Sequence, residues 1–135
     1  MTYERIKPED VVAAYKEKDV IPVQSIWGRT SKVDGRKDCA CGLSVYAMKK
    51  KGFNSYANLS KAFIAAETHL LDFYLAELLH LPQPYVAGFV HGFDGNRNKE
   101  RTNEDYLKGV EDGKAAAEAV KQSDIPILEK GHIYL

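Results

Sequence analysis

The chain has 135 residues, 44% of them hydrophobic, enough for one domain over residues 1–135 to bury roughly 65–70% of its unfolded surface without staples. Nineteen basic and nineteen acidic side chains cancel, which excludes a long-range field that would steer the whole molecule to nucleic acid or an anionic membrane. Two cysteines in a Cys-x-Cys spacing exclude a disulfide framework.

The amino-terminal stretch Met1–Asp10 is polar and lacks the apolar run of a signal peptide. Pro8, followed by Glu9 and Asp10, predicts a helix start, with proline at the first helical position and acids facing the positive end of the dipole. Val11, Val12, Ala14 and Tyr15 carry its apolar stripe to about Lys18. From Val20 to Gly35 the texture becomes β-prone: Pro22 interrupts any helix and Asp34-Gly35 is a turn signal.

Asp38 is suited to cap a helix beginning near Cys39 and ending at Gly52, with Lys49, Lys50 and Lys51 against the negative end of the dipole. The next element starts at Asn54 or Ser55 and runs to about Leu81, where Pro82 and Pro84 end it. It is the longest predicted helix, and its apolar arc is wider than one neighbour covers. That width predicts either the spine of the core or a surface shared with a second copy, a homodimer. Asp72, Glu77 and His80 interrupt Leu70–Leu81, which is too short to span a bilayer.

A motif then occurs twice, 21 residues apart: Tyr85-x-x-Gly88-x-x-x-Gly92 and Tyr106-x-x-Gly109-x-x-x-Gly113. Each interior glycine costs a helix about 1 kcal/mol relative to alanine. Four of them imply a close crossing of two helices, or the floor of a ligand pocket. No Gly-Lys-Ser/Thr follows, so this is not a phosphate loop. Asn103 is placed to cap the second glycine helix, and Pro126 ends it. The fold expected is mainly α, a compact bundle of about five helices. Residues 20–35 and the tail Ile127–Leu135 are able to add a small two-stranded β element.

Several residues carry candidate chemistry. Between the glycine helices, Asp94-x-Asn96-x-Asn98-x-Glu100 with Thr102 and Asp105 after it places oxygen ligands at positions 1, 3, 5, 9 and 12 of a calcium-type loop. Lys99 in place of the turn glycine, the short Asp105 at the last position, and Arg97 and Arg101 all oppose a cation there. Cys39 and Cys41 read as packing residues, as half of a metal site, or as a thiol activated at a helix start beside Lys37. Glu77-x-x-His80 is half of a di-iron pattern with no second half in the chain. His91 is the best placed general base, but no nucleophile is tied to it by spacing.

The reading preferred on these grounds is a small soluble helical interaction or regulatory protein, cytoplasmic, working through a binding surface rather than by catalysis. Residues 29–51 carry seven cations against two acids, a net plus five. Arg29, Lys32, Arg36 and Lys37 would face a protein partner or a nucleic-acid backbone, with His91, Asp94 and Arg97 as further binding candidates. The alternative is a metal- or small-ligand-binding module at the Gly88/Gly92–Gly109/Gly113 helix pair and loop 94–105. A third is a small enzyme using His91. No cofactor is expected, and no membrane.

Overall fold

The computed structural model describes residues 3–30, 37–67 and 70–127. Among these are six helices and three two-residue strands: α1 (Pro8–Lys18), β1 (Ile21–Pro22), β2 (Gly28–Arg29), β3 (Cys39–Ala40), α2 (Gly42–Lys51), α3 (Tyr56–Ala65), α4 (Leu71–Leu79), α5 (Gln83–Asp94) and α6 (Glu104–Gln122). The architecture is mainly α with a small β element, as the periodicity implied.

Local signals set most boundaries. Pro8 opens α1, Ser55 Oγ accepts the Asn58 amide at the start of α3, and Asn103 Oδ1 accepts the Asp105 and Tyr106 amides at the start of α6. Gly52, at φ 74°, closes α2 in the left-handed region that glycine enters without steric cost.

Two expectations are corrected. The sheet has three strands in the order β1-β3-β2, with β3 parallel to β1 and antiparallel to β2. Cys39 and Ala40 therefore lie extended: Asp38 O takes the Ile21 amide and the Cys41 amide reaches Trp27 O, so α2 starts at Gly42 with Cys41 as its cap. The tail beyond Ile127, expected to supply a strand, lies outside the described residues.

The long helix also divides. Ala65 ends α3, Glu67 takes a left-handed φ of 55°, and Leu70 is extended before α4 begins. A straight helix over residues 55–81 would run about 40 Å, as long as a domain of this size is wide, roughly 35–40 Å. Dividing it brings Leu59 and Leu75 into one core cluster with α2. The spine of that core is α2, in which every residue from Gly42 to Met48 is buried.

The two glycine helices form the closest pair in the molecule. A side-chain carbon at Gly88 would overlap the Tyr106 carbonyl, and one at Gly109 the Tyr85 carbonyl. Gly92 faces the Val110 carbonyl in the same way, and Gly113 the Phe89 carbonyl. These contacts are related by a pseudo-twofold axis that exchanges the two motifs. Backbone touches backbone, and the seam is filled.

The same symmetry extends to polar residues. Tyr85 Oη donates to Asp112 Oδ2 at 2.6 Å and accepts the Ile6 amide at 2.7 Å. Tyr106 Oη pairs with His91 Nδ1 at 2.6 Å and accepts the Asn98 amide at 2.8 Å. The full repeat is thus Tyr-x-x-Gly-x-x-His/Asp-Gly, and each helix's tyrosine is held by the polar residue of the other. Both rings are fully buried, so their hydroxyls need these partners. Arg5 closes the Asp112 end with two hydrogen bonds of 2.8 and 2.9 Å, which ties the amino-terminal arm to α6.

Tyr85→Phe should lower stability by about 2 kcal/mol, because it strands the buried Ile6 amide and takes a donor from Asp112. Urea denaturation monitored by circular dichroism measures it; a midpoint equal to wild type would contradict this role.

Candidate functional site

Three regions gather the residues that could do chemistry or bind: loop 94–105, the buried polar cluster at the start of α2, and the outer face of α3 and α4.

In the loop the oxygen ligands of the calcium reading do not converge. Asp94 ends α5 and turns its carboxylate inward, where it accepts the Ser25 amide. Asn98 Oδ1 accepts the Glu100 amide at 3.0 Å, and Asp105 Oδ1 accepts the Tyr3 hydroxyl at 2.7 Å. Among the described residues no three His, Cys, Asp or Glu side chains are disposed to hold a metal ion. Asn96 and Arg97 are exposed. The Arg101 guanidinium lies 4.2 Å from the centre of the Tyr106 ring, a cation–π contact that fastens the loop to the helix pair.

His91 belongs to that fastening. Burial lowers its pKa first and the Arg101 charge second, against a smaller opposing pull from Asp72. Tyr106 Oη already accepts the Asn98 amide, so its own proton is free for His91 Nδ1. This assigns a neutral imidazole with the proton on Nε2. The unfolded chain takes up this proton first as pH falls, so the stability His91 lends is complete above about 6.5 and declines below it. With Nδ1 committed to Tyr106, the histidine positions a loop.

At the start of α2, Cys39 and Cys41 are free thiols, each about 1% exposed. Cys41 Sγ lies 3.4 Å from Ser44 Oγ. Burial pushes the Cys41 thiol up to about 11, outweighing the Ser44 side-chain and backbone hydrogen bonds that pull it down, and the nearby Asp94 charge adds to the rise. The activated-thiol expectation is corrected by this burial. Lys37, which was to lower the thiol, instead bonds Asp19 at 2.7 Å. Packing explains the neighbouring glycines as well. A side-chain carbon at Gly42 would come within 2.7 Å of the Phe93 ring, and Gly28 makes room for the Tyr56 ring.

Asp94 stands beside this cluster. Burial raises its carboxyl to about 6 and the Ser25 amide pulls it back only in part. Its Oδ1 is buried without a hydrogen-bond partner.

The basic segment is partly spent within the fold. Lys37 pairs with Asp19, Lys49 with Glu17 at 3.2 Å, and Lys50 lies over the Tyr46 ring. Arg29 sits exposed on β2. Lys32, Arg36 and the Asp34-Gly35 turn lie outside the described residues, as do His69 and His132. Glu77 and His80 are exposed on α4.

The outer face of α3 and α4 is different in kind. Among their residues only Leu59, Leu75 and Ala76 are fully buried. Ile64, Leu70 and Phe73 are 69%, 55% and 50% exposed. Phe63 and Tyr74 meet at a tilt of 54° with ring centres 5.6 Å apart and join the two helices. Beside them is a hollow of about 430 Å³ floored by Ala66, Tyr74 and Leu78 and rimmed by Lys51, Glu77 and His80. The width of the predicted apolar arc was the signal for this face; the break between the helices hid where it would lie.

Comparison with known proteins finds no matching family model, no similar curated protein and no matching solved structure.

Because the folded carboxyl of Asp94 titrates above its unfolded value, its proton stabilises the fold below about pH 3.8, and that stability is lost as pH rises through about 6. Asp94→Asn should therefore raise stability at pH 7.5 by about 1–2 kcal/mol, a figure reduced for its partial exposure. The gain should vanish near pH 4. Denaturant titrations of both proteins at the two pH values decide it; an equal gain at both would contradict the assignment.

Proposed function

We infer that this chain is a small interaction module that binds a protein partner through the outer face of α3 and α4. The observation that supports the reading is three large apolar side chains within one stretch of chain, Ile64 in the last turn of α3, Leu70 just before α4 and Phe73 in its first turn, each at least half exposed. A monomer gains nothing by leaving such groups in water, and contiguous apolar exposure marks interaction surfaces. Aromatic anchors beside a hollow and a mixed charged rim, here Phe73 and Tyr74 with Lys51 and Glu77, are the usual anatomy of a binding surface.

The other readings have less beneath them. The seam between α5 and α6 is closed by backbone contact at all four glycines, leaving no room there for a small ligand. His91 is engaged with Tyr106. Pairing of Lys37 and Lys49 within the fold reduces the charge that residues 29–51 would offer a nucleic acid or an acidic protein. No helix among the described residues is long and apolar enough to cross a membrane. Free thiols two residues apart suit a reducing compartment, which supports a cytoplasmic setting. A second copy of the chain is one partner this face would accept, since the chain has no net charge to repel its copy.

The test is a paired affinity capture with wild type and an Ile64→Glu/Phe73→Glu double variant. Both positions are exposed, so the variant should keep its stability to within about 1 kcal/mol. A protein retained by wild type and lost by the variant is the expected result. Concentration-dependent dimers that disappear in the variant, measured by sedimentation, would identify that protein as a second copy. Identical retention by both proteins would remove the proposal.

A further inference from the structure

Asp94 is held where a carboxylate is badly served. It is the last residue of α5, the end at which helix carbonyls already concentrate negative charge. One oxygen takes the Ser25 amide; the other is buried and bonded to nothing. Tyr15 from α1 and Cys41 from the start of α2 feel its charge, yet the Tyr15 hydroxyl is committed to Ala40 O at 2.7 Å and the Cys41 thiol to Ser44. Neither is a cation, and among the described residues no lysine or arginine is paired with the carboxyl. An ionised oxygen in this position lacks both counter-charge and water.

Three sides of the site are helices that pack the core. The fourth is the irregular segment Gln24–Ile26, which lies across the end of α5 between Val23 and Trp27, both bonded to the sheet around β3. Gln24 Nε2 donates to Phe93 O at 2.7 Å, and the Ser25 amide bonds Asp94. Ser25 has φ 71°, a left-handed conformation that a serine rarely adopts and that only its surroundings sustain. The cover over Asp94 is therefore strained and short: Gln24 and Ser25 fasten its middle to α5, while at its ends the Val23 amide bonds Ala40 O and Trp27 O accepts the Cys41 amide. Residues 24–26 can lift between those two anchors without moving a helix, whereas the other three sides cannot.

We propose that Asp94 is a proton-operated latch: protonated, it keeps residues 24–26 seated on the end of α5, and loss of its proton to solvent lifts that segment between its sheet anchors and admits water. The proton removes the charge that the site cannot solvate. Once the carboxylate forms, Oδ1 gains water only if the cover moves, and Ser25 then relaxes from its left-handed conformation. The latch concerns a different part of the molecule from the α3–α4 face and stands independently of it.

Trp27 is the single tryptophan of the chain, adjoins this segment at its anchored end, and packs partly buried against the core. Its fluorescence reports the latch in the intact protein. Between about pH 4.5 and 8, emission should move to the red and acrylamide quenching should rise by about twofold. The midpoint should fall near 6. Asp94→Asn should hold the low-pH spectrum throughout, while helical circular dichroism stays unchanged in both proteins. A wild-type spectrum that does not move would overturn the proposal. So would a variant that moves with the wild-type midpoint, which would assign the change to another group such as His91. Should the variant not fold, the Ser25 amide resonance of wild type decides. It must titrate with the Trp27 midpoint, and an amide that ignores pH over this range overturns the latch.

Discussion

The contact on which the rest of the structure depends is the backbone-to-backbone crossing of α5 and α6. Four glycines bring the helices together until carbonyls of one occupy the space where side chains of the other would begin. Each glycine costs its helix about 1 kcal/mol in propensity, and dispersion across a seam this close offsets that cost. Once the separation is fixed, the tyrosines of the two motifs reach the polar residue of the opposite helix, Asp112 or His91. Those tyrosines then set what surrounds the pair. Tyr85 receives the amino-terminal arm through the Ile6 amide, and Tyr106 receives loop 94–105 through the Asn98 amide.

This makes the loop a product of the helix pair. Asn103 caps α6, Asn98 Oδ1 accepts the Glu100 amide, and Arg101 lies on the Tyr106 ring. Oxygens with the spacing of a cation loop are drawn apart here, Asn98 and Asn103 into turn and cap, Asp105 to Tyr3 and Asp94 to Ser25. The chemistry that remains unspent is elsewhere: an unsatisfied carboxylate under a strained segment, and an apolar face on α3 and α4. Both cost stability, and both are retained by a fold that is tightly packed along α2.

Much of the helical layout was legible in the sequence. Pro8, Ser55, Gly52 and Asn103 act through local physics, and each sets a boundary where its chemistry requires. The glycine repeat likewise predicted a close crossing, because spacing of four on a helix puts both glycines on one face. What was hidden depends on contacts distant in sequence. The alternation of His91 with Asp112 in the repeat has meaning only once the two helices lie side by side in the same direction, Gly88 and Gly92 meeting Tyr106 and Val110 in turn. The division of residues 55–81 follows from the width of the core, and periodicity alone continues the helix through it. Cys39 and Ala40 are extended because Ile21 and Trp27 supply strand partners, whereas the local sequence favoured a helix start. Asp94 stood out as a loop ligand; its burial could be seen only after the segment around Ser25 was placed.

Replacement of Gly109 by alanine tests the central claim most directly, with Gly88→Ala as its symmetry mate. Intrinsic helix propensity favours alanine at both positions and by itself predicts a gain of about 1 kcal/mol. Backbone contact at the seam predicts the opposite sign: each variant should lose about 3 kcal/mol or more in equilibrium urea unfolding, and the two losses should be similar. Stability equal to or above wild type in either variant would show that the helices do not meet backbone to backbone.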